Sequence, residues 1–153
     1  RVLDDFLINP SYGGQLTIVD AHRPDILVET AWASLGASLV WDADPYLPSG
    51  TLFATAKNEG LFIFKPTYQR AAYLEGRVTD AATGQPLSKV KVMVTNTPNY
   101  DVTRPDGAFK TGATAPGVFT LQVGKIGYKP LTVDNIPLVG GEQKWLELTL
   151  ERY

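Results

Sequence analysis

The sequence predicts an all-β protein. Several stretches alternate apolar and polar side chains, as a strand with one solvated face does, and residues 90–94 and 146–150 are examples. The 14 glycines and 11 prolines are spread along the chain, as in a fold of many short strands and turns. The regular spacing of strands and turns in residues 71–153 predicts a β-sandwich there.

Length and composition exclude several classes of function. The chain has 153 residues, enough for one ordinary domain or two small ones, and its net charge of −2 gives no electrostatic case for binding nucleic acid or an anionic membrane. No apolar run approaches the roughly 18 residues that span a bilayer. Cysteine is absent, which excludes disulfides and thiolate metal sites. Because the first residue is Arg1, we expect a processed product or an excised piece.

Residues 1–14 are expected to form an apolar strand followed by a hinge. The strand, residues 2–8, is apolar on both faces around Asp4 and Asp5, and residues 9–14 end in two glycines. An exposed apolar strand promotes association, so this one needs a partner. The predicted self-association residues are Val2, Leu3, Phe6, Leu7 and Ile8.

Within residues 15–70 we expect an antiparallel sheet. Its strands are residues 16–20, 51–56 and 61–64, the last two joined by a hairpin turn at 57–60. The stretch Ala31–Trp41 fits both helical spacing and strict alternation. We favour a strand, because Gly36 weakens a helix and no helix cap is evident.

Residues 71–153 open with a strand, a tight turn and a second strand. Leu74, Gly76 and Val78 point to one face, and the turn at 80–84 ends in a glycine. The expected core consists of the inward side chains Leu74, Val78, Val90, Val92, Val94, Phe109, Phe119, Leu121, Val123, Leu146, Leu148 and Leu150.

An ordered set of motifs runs through this second half: Gly76-x-Val78-x-Asp80, then Thr83-Gly84-x-Pro86-Leu87, Val90-x-Val92, Asp106-Gly107-x-Phe109 and Gly127-Tyr128. It resembles the carboxypeptidase regulatory-like domain. The resemblance implies a transthyretin-like, seven-stranded Greek-key β-sandwich, and it implies a non-catalytic accessory module of a secreted protein.

The first half carries a second resemblance. Leu16-Thr17-Ile18-Val19-Asp20 with Pro24, then 45–50 and 60–64, are similar to the closing repeat of LVIVD-type β-propellers of secreted bacterial proteins. Residues 15–70 are therefore expected to be blade-like. A single blade cannot bury all of its large apolar side chains, so the second half, upstream blades or another copy must cover them. These side chains are Trp32, Leu35, Leu39, Phe53, Phe62 and Phe64.

Residues for catalysis or metal binding are sparse. His22 is the only histidine, so neither a zinc peptidase set nor a Ser-His-Asp triad is expected, and His22 is interpreted as a turn residue. Asp42 with Asp44, and Asp101 with Asp106, could bind Ca²⁺, although aspartate also favours turns. We expect no cofactor and no metal.

Two aromatic residues offer a glycan-binding alternative. Tyr73 and Trp145 fall on the outward phase of their strands, and an aromatic strip can stack on sugars. Their alternative role is to cover the sandwich where another part of the chain packs.

The predicted function is that of a non-enzymatic structural protein, bacterial and extracellular or at the cell surface. It self-associates through β-strand addition into a filament or fibre of identical chains. The alternative is an accessory or carbohydrate-binding module at the C-terminus of a longer secreted propeller protein. An enzyme is the least favoured class.

Overall fold

The structure is a computed structural model, and it describes residues 1–37 and 39–153. These residues form fourteen β-strands and no helix, which confirms the all-β prediction. They divide into two compact units, Arg1–Arg70 (unit 1) and Ala71–Tyr153 (unit 2), and each unit has its own apolar core. No helix of these residues could cross a membrane.

Unit 1 contains two antiparallel sheets. The first has the strand order β1-β2-β3-β4, and the second has the order β5-β6-β7. The strands are β1 (Val2–Leu3), β2 (Phe6–Ser11), β3 (Gln15–Asp20), β4 (Val28–Ser34), β5 (Val40–Asp44), β6 (Leu52–Ala56) and β7 (Gly60–Phe64).

Both sheets of unit 1 contribute to one core, which corrects the expectation of a single blade. Phe6 and Ile8 of β2 share this core with Ala43 of β5 and with Leu52 of β6. Within residues 1–14, β1 and β2 are therefore strands of the first sheet, in place of the expected separate strand and hinge. Of the apolar side chains expected to lack cover, Leu35 is buried and Leu39, Phe53, Phe62 and Phe64 are half-buried, while Trp32 stays 64% exposed.

The stretch Ala31–Trp41 is a strand only at its two ends. Strand β4 ends at Ser34, the chain turns through Gly36 with a φ of 84°, and β5 begins at Val40. A left-handed φ is readily available to glycine, which is why the turn occurs there. Ser38, part of the predicted alternation, lies outside the described residues.

Unit 2 is a seven-stranded β-sandwich, as predicted. One sheet has the order β10-β9-β12-β13, and the other has the order β11-β8-β14, in which β14 runs parallel to β8. The strands are β8 (Ala72–Asp80), β9 (Lys91–Val94), β10 (Tyr100–Val102), β11 (Ala108–Ala113), β12 (Gly117–Gly124), β13 (Leu131–Leu138) and β14 (Gln143–Leu150).

The core of unit 2 confirms the predicted inward residues. All twelve lie in it or pack against it, with Phe119 and Leu146 half-buried at its margin. Ile136 and Leu138 join them from β13, where the bulge beside Phe119 interrupts the simple alternation. Gly76 shows why the first motif needs glycine, because a Cβ there would lie 2.1 Å from the Leu146 carbonyl oxygen.

Candidate functional site

The predicted self-association segment lies within unit 1 and is not free. Ile8 is 1% exposed and Phe6 is buried, while Leu3 and Leu7 are half-buried and only Val2 is exposed. Strand β2 pairs with β3 over its whole length, and its period of two directs Phe6 and Ile8 into the core. Using this strand as a donor would require unit 1 to open.

A charged network fixes the start of β2. The Arg70 guanidinium donates to Asp20 Oδ1 at 3.0 Å and to Asp5 Oδ2 at 2.6 Å, and it lies 4.9 Å from the centre of the Phe6 ring. His22 Nδ1 is 3.0 Å from Asp5 Oδ2. The hydrogen bonds with His22 and then with Arg70 hold the pKa of Asp5 below its usual value. His22 thus lies in a loop and serves an ion-pair network.

The four aspartates considered as Ca²⁺ ligands all have hydrogen-bond or ion-pair partners within the protein. Asp42 pairs with Arg1, Asp44 accepts from the Tyr46 N–H, Asp101 accepts from the Lys110 N–H, and Asp106 accepts from the Ala108 N–H. The Arg1 hydrogen bond lowers the pKa of Asp42. No cluster of three potential metal ligands occurs among residues 1–37 and 39–153.

The two aromatic residues of the glycan prediction do not form an accessible strip. Tyr73 is 0% exposed, although its position in β8, between Gly112 and Gln143, is on the side that the sequence predicted to face outward. Trp145, on the edge strand β14, is half exposed and donates from Nε1 to Glu147 Oε1 at 2.7 Å. The prediction is wrong for Tyr73 and leaves Trp145 alone.

Strand β7 is an unprotected sheet edge. It reads Gly-Leu-Phe-Ile-Phe, and within residues 1–37 and 39–153 its one partner strand is β6. It directs Leu61 and Ile63 outward with 58% and 63% of their surface exposed. Among the described residues, every other edge strand longer than two residues carries a charged side chain. Proteins commonly use such charges to prevent edge-to-edge pairing. Leu61 and Ile63 were missed in the sequence, although this uncharged run was the available signal.

Strand β4 borders an apolar groove together with the end of β7. The groove has a volume of about 170 Å³ and is lined by Trp32, Leu52 and Phe64, among others. Trp32 belongs to β4, the outer strand of its sheet, and the groove is also lined by residues of β3 and β6, so it lies between the two sheets, beside β4 and the end of β7. We call β4, β7 and this groove the open edge. Unpaired backbone and an apolar slot together suit an added β-strand.

The model of the carboxypeptidase regulatory-like domain matches residues 73–151, just over half of the chain. The chain belongs to this family. The regulatory-like domain therefore coincides with the sandwich of unit 2, and the motifs that indicated it lie in that sandwich. No curated protein matches the chain.

Several solved structures are distantly similar. A type II cohesin–X-dockerin complex from Acetivibrio cellulolyticus matches with 18% identity and a TM-score of 0.45, over 52% of this chain and 56% of that one. A minor pilin of Streptococcus agalactiae matches with 13% identity and a TM-score of 0.41, over 83% and 68%. The Bacillus anthracis TIE protein matches with 12% identity and a TM-score of 0.41, over 97% and 34%.

This chain thus spans little more than half of the chain matched in the cohesin–dockerin complex. Structural similarity at this level gives no information about the function of the regulatory-like domain.

Proposed function

We propose that the protein is a non-enzymatic, extracellular structural protein of a bacterium that assembles with copies of itself by β-strand addition at the open edge. The observation that carries the proposal is β7, an uncharged edge strand with Leu61 and Ile63 exposed. An edge of this kind templates pairing with another strand. Residues 2–8 keep a supporting role, because Phe6 and Ile8 hold the sheet of which β4 is the edge.

The proposed contact joins β7 of one copy to residues 30–34 of β4 in the next, the part of β4 that follows its one charged residue, Glu29. The two strands differ, so the contact is head-to-tail, and a head-to-tail contact that does not close produces a filament. Main-chain hydrogen bonds supply part of the affinity, and the exposed Trp32, Leu61 and Ile63 supply apolar area. Pairing of β7 with β7 would instead give a closed dimer.

The test replaces Ile63 by lysine and compares the particle mass by light scattering and the particle shape by electron microscopy. Because Ile63 points outward, Ile63→Lys leaves the core intact and places a charge on the edge. We expect the wild-type mass to rise with concentration, with filaments visible, and the variant to remain a monomer. Ile126→Lys, at a fully exposed turn residue, is the matched control.

A wild type that stays monomeric at its highest soluble concentration would end the proposal. So would an Ile63→Lys variant that assembles as the wild type does. A concentration-dependent particle that stops at twice the chain mass would replace the filament by the closed β7 pair.

A second candidate function is that of an accessory module at the C-terminal part of a longer secreted propeller protein. It is favoured by the placement of the propeller-like segments: residues 16–20 lie in β3 and residues 60–64 form β7, in two successive antiparallel sheets with a common core. In this case an upstream blade covers the open edge. The encoding reading frame tests this, because further Leu-x-Ile-Val-Asp repeats before residue 1 are expected only here.

The non-enzymatic part of the proposal rests on the side chains themselves. His22 is held by Asp5, Asp42 is engaged in an ion pair, and Asp106 is engaged in a turn. A hydrolytic activity that His22→Ala abolishes in a folded variant would overturn it.

A further inference from the structure

The outer face of the four-stranded sheet of unit 2 contains a second groove, distinct from the open edge. Its volume is about 470 Å³, within the range of small-ligand sites. Its lining includes Lys91, Met93, Gln122, Gly124, Pro130 and Thr132.

The groove exists because two of its positions lack a long side chain. Gly124 of β12 lies opposite Lys91 of β9, and a Cβ built on Gly124 would meet no heavy atom within 4 Å. Pro130 precedes β13 and closes the neighbouring end. The groove is also lined by a row of side chains that crosses three strands. The row consists of the register partners Met93 of β9, Gln122 of β12 and Thr132 of β13.

The groove carries one positive charge held in a defined place. Lys91 Nζ lies 4.7 Å from the centre of the Tyr100 ring, on the neighbouring strand β10, and Tyr100 is 57% exposed. Lys91 is the only charged residue among those described as lining the groove. Asp134, two residues beyond Thr132, accepts a hydrogen bond from the Thr120 hydroxyl and is not part of the lining.

We propose that this groove binds an acidic oligosaccharide, a chain of uronic acid residues. The apolar face of a sugar ring lies on Met93 and on the floor at Gly124, the Gln122 amide and Thr132 hydroxyl pair with sugar hydroxyls, and the sugar carboxylate pairs with Lys91. The positive charge of Lys91 favours an acidic sugar over a neutral one, although the chain as a whole has a net charge of −2. Tyr100 is a positioning residue that holds the Lys91 ammonium at the groove.

The test is a calorimetric or NMR titration of the intact chain with tri-galacturonate and with its fully methyl-esterified form. The ester has the same ring and hydroxyls without the negative charge. We expect tri-galacturonate to bind about tenfold more tightly than the ester, the difference that one charge-assisted hydrogen bond gives. Added salt should reduce that difference.

Three variants separate the parts of the site. Lys91→Gln should abolish the preference for the acid over the ester. Tyr100→Ala should weaken acid binding, whereas Tyr100→Phe keeps the ring beneath Lys91 and should bind as the wild type does. Gly124→Val should fill the groove and abolish binding without loss of thermal stability, because its side chain enters open space.

Lys57→Gln and Trp145→Ala are matched controls, a lysine in an exposed turn and a half-exposed tryptophan on the other sheet, and neither should change binding. Equal affinity for acid and ester would overturn the proposal. The proposal would also be overturned if Gly124→Val still bound the acid or if Trp145→Ala lost binding. It would be overturned as well if neither oligosaccharide bound at millimolar concentration. None of these results depends on assembly through the open edge.

Discussion

Two buried aspartates at strand ends organise the two units in the same way. Asp20, at the end of β3, accepts from the His22 N–H and from Arg70, 50 residues later in the chain. Asp80, at the end of β8, accepts from Arg152 in unit 2 and from the N–H groups of the turn that follows it. One carboxylate thus fixes a turn and ties a distant part of the same unit to it.

Asp80 should make the stability of unit 2 sensitive to acid. The Tyr128 hydroxyl, Arg152 and the N–H groups of Ala82 and Thr83 donate to its carboxylate and hold its pKa well below the usual value, against the rise that burial causes. The unfolded-state pKa of aspartate is about 3.9, so this stabilisation is present above about pH 4 and is lost as the pH falls further.

The measurement is thermal unfolding of the wild type and of Asp80→Asn at about pH 7 and about pH 3. The asparagine variant should have the lower Tm near neutrality and should lose less of it on acidification. Asp106→Asn, at an exposed turn carboxylate of the same unit, is the control. If Asp80→Asn left the acid dependence of the Tm unchanged, groups other than Asp80 would be responsible for that dependence.

At the scale of the element, β2 is a core strand of unit 1. Ile8→Ala removes buried methyl groups and should destabilise unit 1 by about 2–5 kcal/mol, whereas Val2→Ala, at a half-exposed position, should change stability by less than about 0.5 kcal/mol. Urea unfolding measures both. Similar small effects of the two substitutions would mean that residues 2–8 are free, as the sequence suggested.

Strands with one solvated face could be predicted from the sequence, and those with cover on both sides could not. The alternation in β9 and β14 placed Val92 and Leu148 correctly, because the opposite faces of these strands are solvated. Tyr73 lies on β8, whose residues 72–76 are all buried, so phase alone assigned it to solvent wrongly. Likewise, the apolar residues 2–8 look unpartnered until β2 is known to pair with β3, the strand that follows it after a three-residue turn.

The open edge was predictable only in part, for a related reason. The sequence identified Trp32 as lacking cover, and it remains exposed. Which of the two alternating sets of side chains in β7 faces outward depends on the first sheet of unit 1, with which the sheet of β7 shares its core, and a single-sheet interpretation cannot supply it. The groove at Gly124 depends on the register of three strands, which no local pattern contains.

At the scale of the whole molecule, the residues that the structure describes form two apolar cores, one in each unit. A domain with its own core can fold alone, so residues 71–153 expressed without unit 1 should give a cooperative thermal transition and dispersed NMR signals. In the full chain, Ile8→Ala should lower the midpoint of one transition and leave the transition of unit 2 in place. A disordered 71–153 fragment would contradict this prediction.

The parallel pairing of β14 with β8 affects the synthesis of the protein. Eight residue pairs join the two strands, from Gln143 with Tyr73 to Leu150 with Asp80. A ribosome therefore releases β8 long before its neighbour exists, and the sheet remains one strand short until residues 143–150 emerge. Until then the edge of β8 that pairs with β14 has no partner strand, and β8 carries the apolar residues Leu74 and Val78. Chaperones that recognise extended apolar segments can bind the nascent chain during that interval.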